Sequence, residues 1–108
     1  MNTRITNVGS EMTNVGTAVE LDVSSTAVAF SAASFPTTPT NFRYVMFQIQ
    51  GQPVRITYDG TTNPTASSGQ RKAAGDEAIM IRAAFLKLKF IREGSTDAKI
   101  WALPCNLT

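Results

Sequence analysis

The chain is 108 residues long with 43% hydrophobic and 17% charged residues, which is the size of one domain with enough apolar content for a core. Its formal net charge of +2, with basic residues scattered along the chain, argues against a dedicated phosphate-backbone binder, and no run approaches the ~20 apolar residues that span a bilayer. There is no histidine and one cysteine, so His-based nucleophilic systems, imidazole metal sites, an ordinary structural zinc and an intramolecular disulfide are all unavailable.

Residues 1–17 are polar and Gly-punctuated, with the unit Thr-Asn-Val-Gly at Thr6 to Gly9 and again at Thr13 to Gly16. They read as an N-terminal arm serving assembly, ahead of one domain over 18–108. Val19, Leu21 and Val23 alternate with Glu20 and Asp22, a half-buried strand. After the break at Ser24-Ser25, Ala27 to Phe30 is a short apolar piece, and Ala29 to Ser34 suits one helical turn. Phe35 to Asn41 is a loop held extended by Pro36 and Pro39.

Arg43 to Gln50 is the clearest strand, with Val45, Phe47 and Ile49 on one face and Tyr44, Met46 and Gln48 on the other. Gln50 to Pro53 predicts a reversal into Val54 to Tyr58, making a hairpin at the centre of the fold. A long polar loop then runs from Asp59 to Gly75. With few apolar anchors it is expected to be mobile in a lone protomer and ordered against a partner subunit. Glu77 to Arg82 follows. Ala73 to Arg92 also contains helix-forming residues, but the alternation of Leu86, Leu88 and Phe90 with Lys87 and Lys89 favours strands, including one from Ala84 to Arg92. Glu93 to Asp97 is a hairpin loop, and Ala98 to Leu103 is the last strand, stopped by Pro104. Short strands with Gly and Pro turns make an all-β, single-domain antiparallel β-sandwich or barrel, jelly-roll-like. Its predicted core is Val45, Phe47, Ile49, Val54, Ile56, Leu86, Leu88 and Phe90.

The candidate chemistry is sparse. Asp59 and Asp76 are a conceivable acid–base pair, but Asp beside Gly is turn chemistry. Asp59, Asn63 and loop carbonyls are hard oxygen donors of the kind calcium takes, without EF-hand spacing. Trp101, Tyr44 and Tyr58 offer flat rings for sugar stacking, yet all three lie in predicted strands, where packing is the default. Arg71 and Lys72 sit between glycines without a P-loop pattern, and suit a subunit-facing loop. Lys87 and Lys89 share one strand face, suited to an edge guarded by charge or to an acidic patch on a neighbour. Arg71, Lys72, Lys87 and Lys89 are therefore the candidate interface residues. Cys105 reads as a space-filling residue.

Val54 to Gly60, Pro64 to Ser67, Gly69, Ala74 to Asp76 and Leu86 to Arg92 together resemble small virion proteins of tailed bacteriophages. The resemblance covers the C-terminal half of the chain and brings no catalytic or cofactor-binding residues. It implies a non-enzymatic structural protein, first of all a head decoration (cement) subunit. That subunit would form a homo-oligomer, a trimer, on the major capsid or another virion protein, made in the host cytoplasm and located in the virion. No membrane and no specific nucleic acid enter as partners. A neck, tail or fibre-attachment component, or a carbohydrate-recognition module, remains the alternative.

Overall fold

The computed structural model describes residues 12–14, 16–35 and 42–107. The first Thr-Asn-Val-Gly unit, Val15 of the second, and Pro36 to Asn41 of the predicted loop lie outside them. The fold is an all-β sandwich of two antiparallel sheets.

The larger sheet contains β1 (Met12–Asn14), β2 (Val19–Val23), β3 (Tyr44–Gln50), β6 (Glu77–Ile81) and β8 (Ala98–Leu107). β8 is its spine: β3 runs along one side, while β2 and β1 share the other. β3 in turn pairs with β6. The smaller sheet has the order β5 (Gln70–Lys72), β4 (Val54–Thr57), β7 (Lys89–Arg92). Met12–Asn14, inside the predicted arm, is thus strand-paired with the C-terminal end of β8.

The predicted central hairpin does not form. β3 and β4 lie in different sheets, joined across a corner at Gly51 to Pro53 where the Gln52 amide donates to the Gln50 carbonyl at 3.0 Å. Both edges of β3 are taken, by β6 and β8, so β4 has no edge to pair with. The alternation is satisfied all the same, because Val45, Phe47 and Ile49 from one sheet and Val54 and Ile56 from the other are all buried in the same core. Glu93 to Asp97 is likewise a crossing between β7 and β8 rather than a hairpin, closed by an ion pair from Arg92 to Asp97 at 2.6 Å.

Two further expectations are corrected. Ala84 to Arg92 is not one strand: Arg82–Phe85 forms a helical turn, α1, and the strand begins only at Lys89. Ala83 and Ala84 favour the helical turn, and the turn swings Phe85 fully inside. Leu86, placed in the core by alternation, is only half-buried, while Leu88 and Phe90 are fully buried. Nor does Pro104 stop the last strand. The Ile49 amide donates to the Asp76 carbonyl and the Arg82 amide to the Arg43 carbonyl, so odd residues of β3 bond towards β6 and even ones towards β8. By the registered pairs, odd residues of β8 then face β3. Pro104 is even, so its missing N–H points to the other side, at the junction of β2 and β1, and costs no bond to β3.

Phenylalanine dominates the core. Phe85 lies 4.9 Å from Phe30, 5.2 Å from Phe47 and 6.5 Å from Phe90 between ring centroids. Phe30 is delivered by the segment after β2, which crosses to the smaller sheet. There the Val28 amide donates to the Phe90 carbonyl at 2.9 Å, and the Phe90 amide donates to the Val28 carbonyl at 2.8 Å. The suspected turn nearby is a single 3-10 turn at Ala32–Ser34, fastened by Ser34 Oγ accepting from the Ser31 amide at 2.9 Å.

Candidate functional site

The loop after β4 is built by short-range hydrogen bonds. Asp59 Oδ1 accepts from the Thr61 and Thr62 amides at 3.0 and 2.8 Å, and Thr62 Oγ1 donates to Oδ2 at 2.5 Å. Thr57 Oγ1 donates to the Thr62 carbonyl at 2.5 Å, and the Tyr58 hydroxyl donates to Gln70 Oε1. Thr65 and Ser68 bond to each other through backbone and side chain. Pro64 is fully buried beneath this turn, and Gln70–Lys72 returns as β5 against β4. The expectation of a loop without anchors is therefore wrong. It has a buried proline and a strand of its own, both anchored within one protomer.

The four basic residues singled out from the sequence meet different fates. Arg71 Nε lies 2.8 Å from Glu93 Oε1, and Arg55 Nε lies 2.9 Å from Glu93 Oε2, so one carboxylate clasps two strands of the smaller sheet. Arg55 also donates to the Gly69 carbonyl at 3.1 Å. Lys89 Nζ donates to the Thr61 carbonyl at 3.3 Å and to Asn63 Oδ1 at 3.1 Å. Lys87 does not share a strand face with Lys89, because it lies in the turn between α1 and β7; its side chain covers the Asp59-Gly60 turn. Lys72 is half-buried on β5, opposite Val54. Lys87 and Lys89 thus converge on the loop, and Arg71 is held by Glu93.

This geometry also answers the oxygen donors. Asp59 is occupied by Thr61 and Thr62, while Asn63 Oδ1 and the Thr61 carbonyl face the ammonium of Lys89, whose charge repels a cation. Among the described residues no three His, Cys, Asp or Glu side chains come together. Asp76 closes a separate turn, its Oδ2 accepting from the Ala73 amide at 2.8 Å. Each aspartate therefore serves its own turn.

Two carboxylates titrate low. The Thr62 hydroxyl, with the Thr62 and Thr61 amides, holds Asp59 well below the usual carboxylate range. Glu93 is lowered chiefly by the hydrogen bond from Arg71, aided by the charges of Arg71 and Arg55. A depressed folded-state pKa means that the unfolded chain binds more protons in acid. Their contribution is complete above the unfolded carboxylate range, about pH 4, and is lost as pH falls through the folded values. The melting temperature is therefore expected to drop below that range, and Asp59→Asn is expected to flatten the drop. An unchanged acid limb in the variant would show that Asp59 does not set it.

What the sequence reading missed lies on the outer face of the larger sheet. Met46 and Cys105 are buried there, outside the main core, with Tyr44, Ile79 and Trp101 packed against them. Ile81, beside Tyr44 in register, is 61% exposed. The signal was present: β3, β6 and β8 carry apolar residues at both parities. Cys105 fills space, as expected, and burial raises its thiol pKa. Of the three candidate sugar-stacking rings, Tyr44 and Trp101 belong to this cluster, and Tyr58 is 44% exposed at the loop. A shallow depression of about 470 Å³ near Asp22, Gln50, Asp97 and Lys99 contains none of the predicted site residues.

No protein-family model, curated protein or solved structure matches this chain.

Proposed function

We propose that the chain is a non-enzymatic structural subunit of a virion, a decoration protein that associates with itself and with a capsid lattice. The observation that carries this reading is the set of apolar side chains left partly or largely exposed on the outer face of the larger sheet, Tyr44, Ile79, Trp101 and Ile81, around the buried Met46 and Cys105. An antiparallel sandwich ordinarily turns polar residues outward. Exposed apolar side chains on that side suit coverage by another protein, where each Å² of apolar surface removed from water contributes about 25 cal/mol before ordering costs. The polar loop supports the same reading: its carboxylates and Lys89 are engaged in holding its shape, which suits a rigid surface.

The experiment is co-sedimentation of the purified chain with shells assembled from a major capsid protein of the same genome. Saturable binding at a fixed ratio is expected, with greater shell resistance to heat. A chain left in the supernatant at every ratio, yet retained on a glycan array through Tyr58, would replace this reading with carbohydrate recognition.

A further inference from the structure

Asp59-Gly60 is the chain's one Asp-Gly step, and there is no Asn-Gly step; the other aspartates, Asp22, Asp76 and Asp97, precede Val23, Glu77 and Ala98. The amide nitrogen that follows an aspartate is placed to attack the side-chain carboxyl. Glycine, with no Cβ, leaves that approach open and lets the backbone turn to meet it. Asp59 is exposed, so water reaches the step, and Gly60 sits at φ +81°.

The reaction needs water alone. The Gly60 nitrogen loses its proton and forms a bond to Asp59 Cγ, and one oxygen of the protonated carboxyl leaves as water, which closes a five-membered succinimide. Water then adds to either ring carbonyl. Breaking the bond from nitrogen to Cγ restores aspartate. Breaking the bond from nitrogen to the main-chain carbonyl carbon leaves isoaspartate, with the chain running through Cβ and Cγ. One water leaves and one returns, so the mass is unchanged and nothing is oxidised.

We propose that Asp59 is the isoaspartate site of this chain, and that the clasp of Thr61 and Thr62 on its carboxylate holds the step closed in the folded molecule. Oδ1 accepts from the Thr61 and Thr62 amides and Oδ2 from Thr62 Oγ1, so all three donors lie beyond Gly60. Attack at Cγ turns a charged, planar acceptor into a neutral tetrahedral centre, and the three charge-assisted bonds weaken together. The same bonds keep the carboxyl ionised, the form with no water ready to leave. The product fits no better. Isoaspartate carries its carboxylate directly on Cα, one carbon shorter, and adds a carbon to the main chain at a turn where Lys87 packs closely, since a Cβ on Gly60 would lie 3.4 Å from Lys87 Cγ. The clasp does not reform around it. The inference concerns the loop alone and stands independently of the lattice-binding reading.

The full chain is incubated for weeks near neutral pH, folded and, in parallel, unfolded in guanidinium. Isoaspartate is read as resistance to an endoprotease that cuts before aspartate, here between Tyr58 and Asp59. The unfolded chain should isomerise at Asp59 about tenfold faster or more, because the clasp exists only in the folded loop. Folded Thr62→Val, which removes the hydroxyl donor and keeps both amides, should isomerise about threefold faster or more than the unaltered chain. Thr57→Val removes the bond from Thr57 Oγ1 to the Thr62 carbonyl without touching the carboxylate, and should match the unaltered rate. Melting curves check that both variants are folded, and the comparison of folded with unfolded chain needs neither. Equal rates in the folded and unfolded chain, no acceleration in Thr62→Val, equal acceleration in Thr57→Val, or isoaspartate arising first at Asp22, Asp76 or Asp97 would overturn the proposal.

Discussion

Phe85→Ala is expected to lower the unfolding free energy by about 3 to 5 kcal/mol, the cost of removing a fully buried aromatic ring. Phe85 has no exposed surface and sits among Phe30, Phe47 and Phe90, drawn from three separate segments. Its neighbours are held by two sheets and cannot collapse together, so most of the vacated space persists as a cavity. Leu86→Ala, one residue on, is expected to cost clearly less because Leu86 is only half-buried at the rim of the core. A continuous strand over Ala84 to Arg92 would reverse this order, since it would place Leu86 inside and Phe85 outside. Urea denaturation of both variants decides the matter. If Leu86→Ala is the more damaging, the helical turn at Arg82–Phe85 is misassigned.

Gly69→Ala is expected to cost about 2 to 4 kcal/mol through a strained backbone and a steric conflict that cannot relax locally. Gly69 has φ +98°, and an added Cβ would lie 3.0 Å from the Ile56 carbonyl oxygen and 3.3 Å from Pro64 Cβ. The Ile56 carbonyl belongs to β4 and Pro64 is buried, so either β5 moves off β4 or the proline leaves its seat. Gly75 makes a natural control: its φ is +94°, but a Cβ there meets nothing within 4 Å. Gly75→Ala therefore bears only the conformational cost, about 1 to 2 kcal/mol. Thermal unfolding gives the two values, and hydrogen exchange should show the Thr65 and Ser68 amides losing protection in Gly69→Ala alone. Equal losses in the two variants would mean that the close approach to β4 does not hold the loop.

In the candidate site, the turn character of Asp59-Gly60 and of Gly75-Asp76 was legible because Asp and Gly act on their immediate neighbours. The clasp of Arg55 and Arg71 on Glu93 was not legible, because Glu93 lies 22 residues beyond Arg71 in the chain and meets it only once β4, β5 and β7 stand side by side. The basic residues drew attention through their charge, but charge alone does not say whether the partner lies in the same fold or in another molecule. The separation of Lys87 from Lys89 follows from the helical turn that delays β7.

The sequence by itself determined three of the extended segments and which of their residues face inward. Alternation is a local property of the pleat: Val19–Val23, Tyr44–Gln50 and Val54–Thr57 show the period that the structure contains, and Val45, Phe47, Ile49, Val54 and Ile56 are buried as that period requires. Tertiary structure alone decided which strands pair. Two consecutive strands with matching inner faces bury the same apolar surface whether they form a hairpin or face each other across a core, so alternation cannot separate the two. The choice fell to competition for edges, in which β6 and β8 took both sides of β3 and sent β4 to the opposite sheet. The same competition let Pro104 sit within β8, its missing amide turned to the side where β2 gives way to β1.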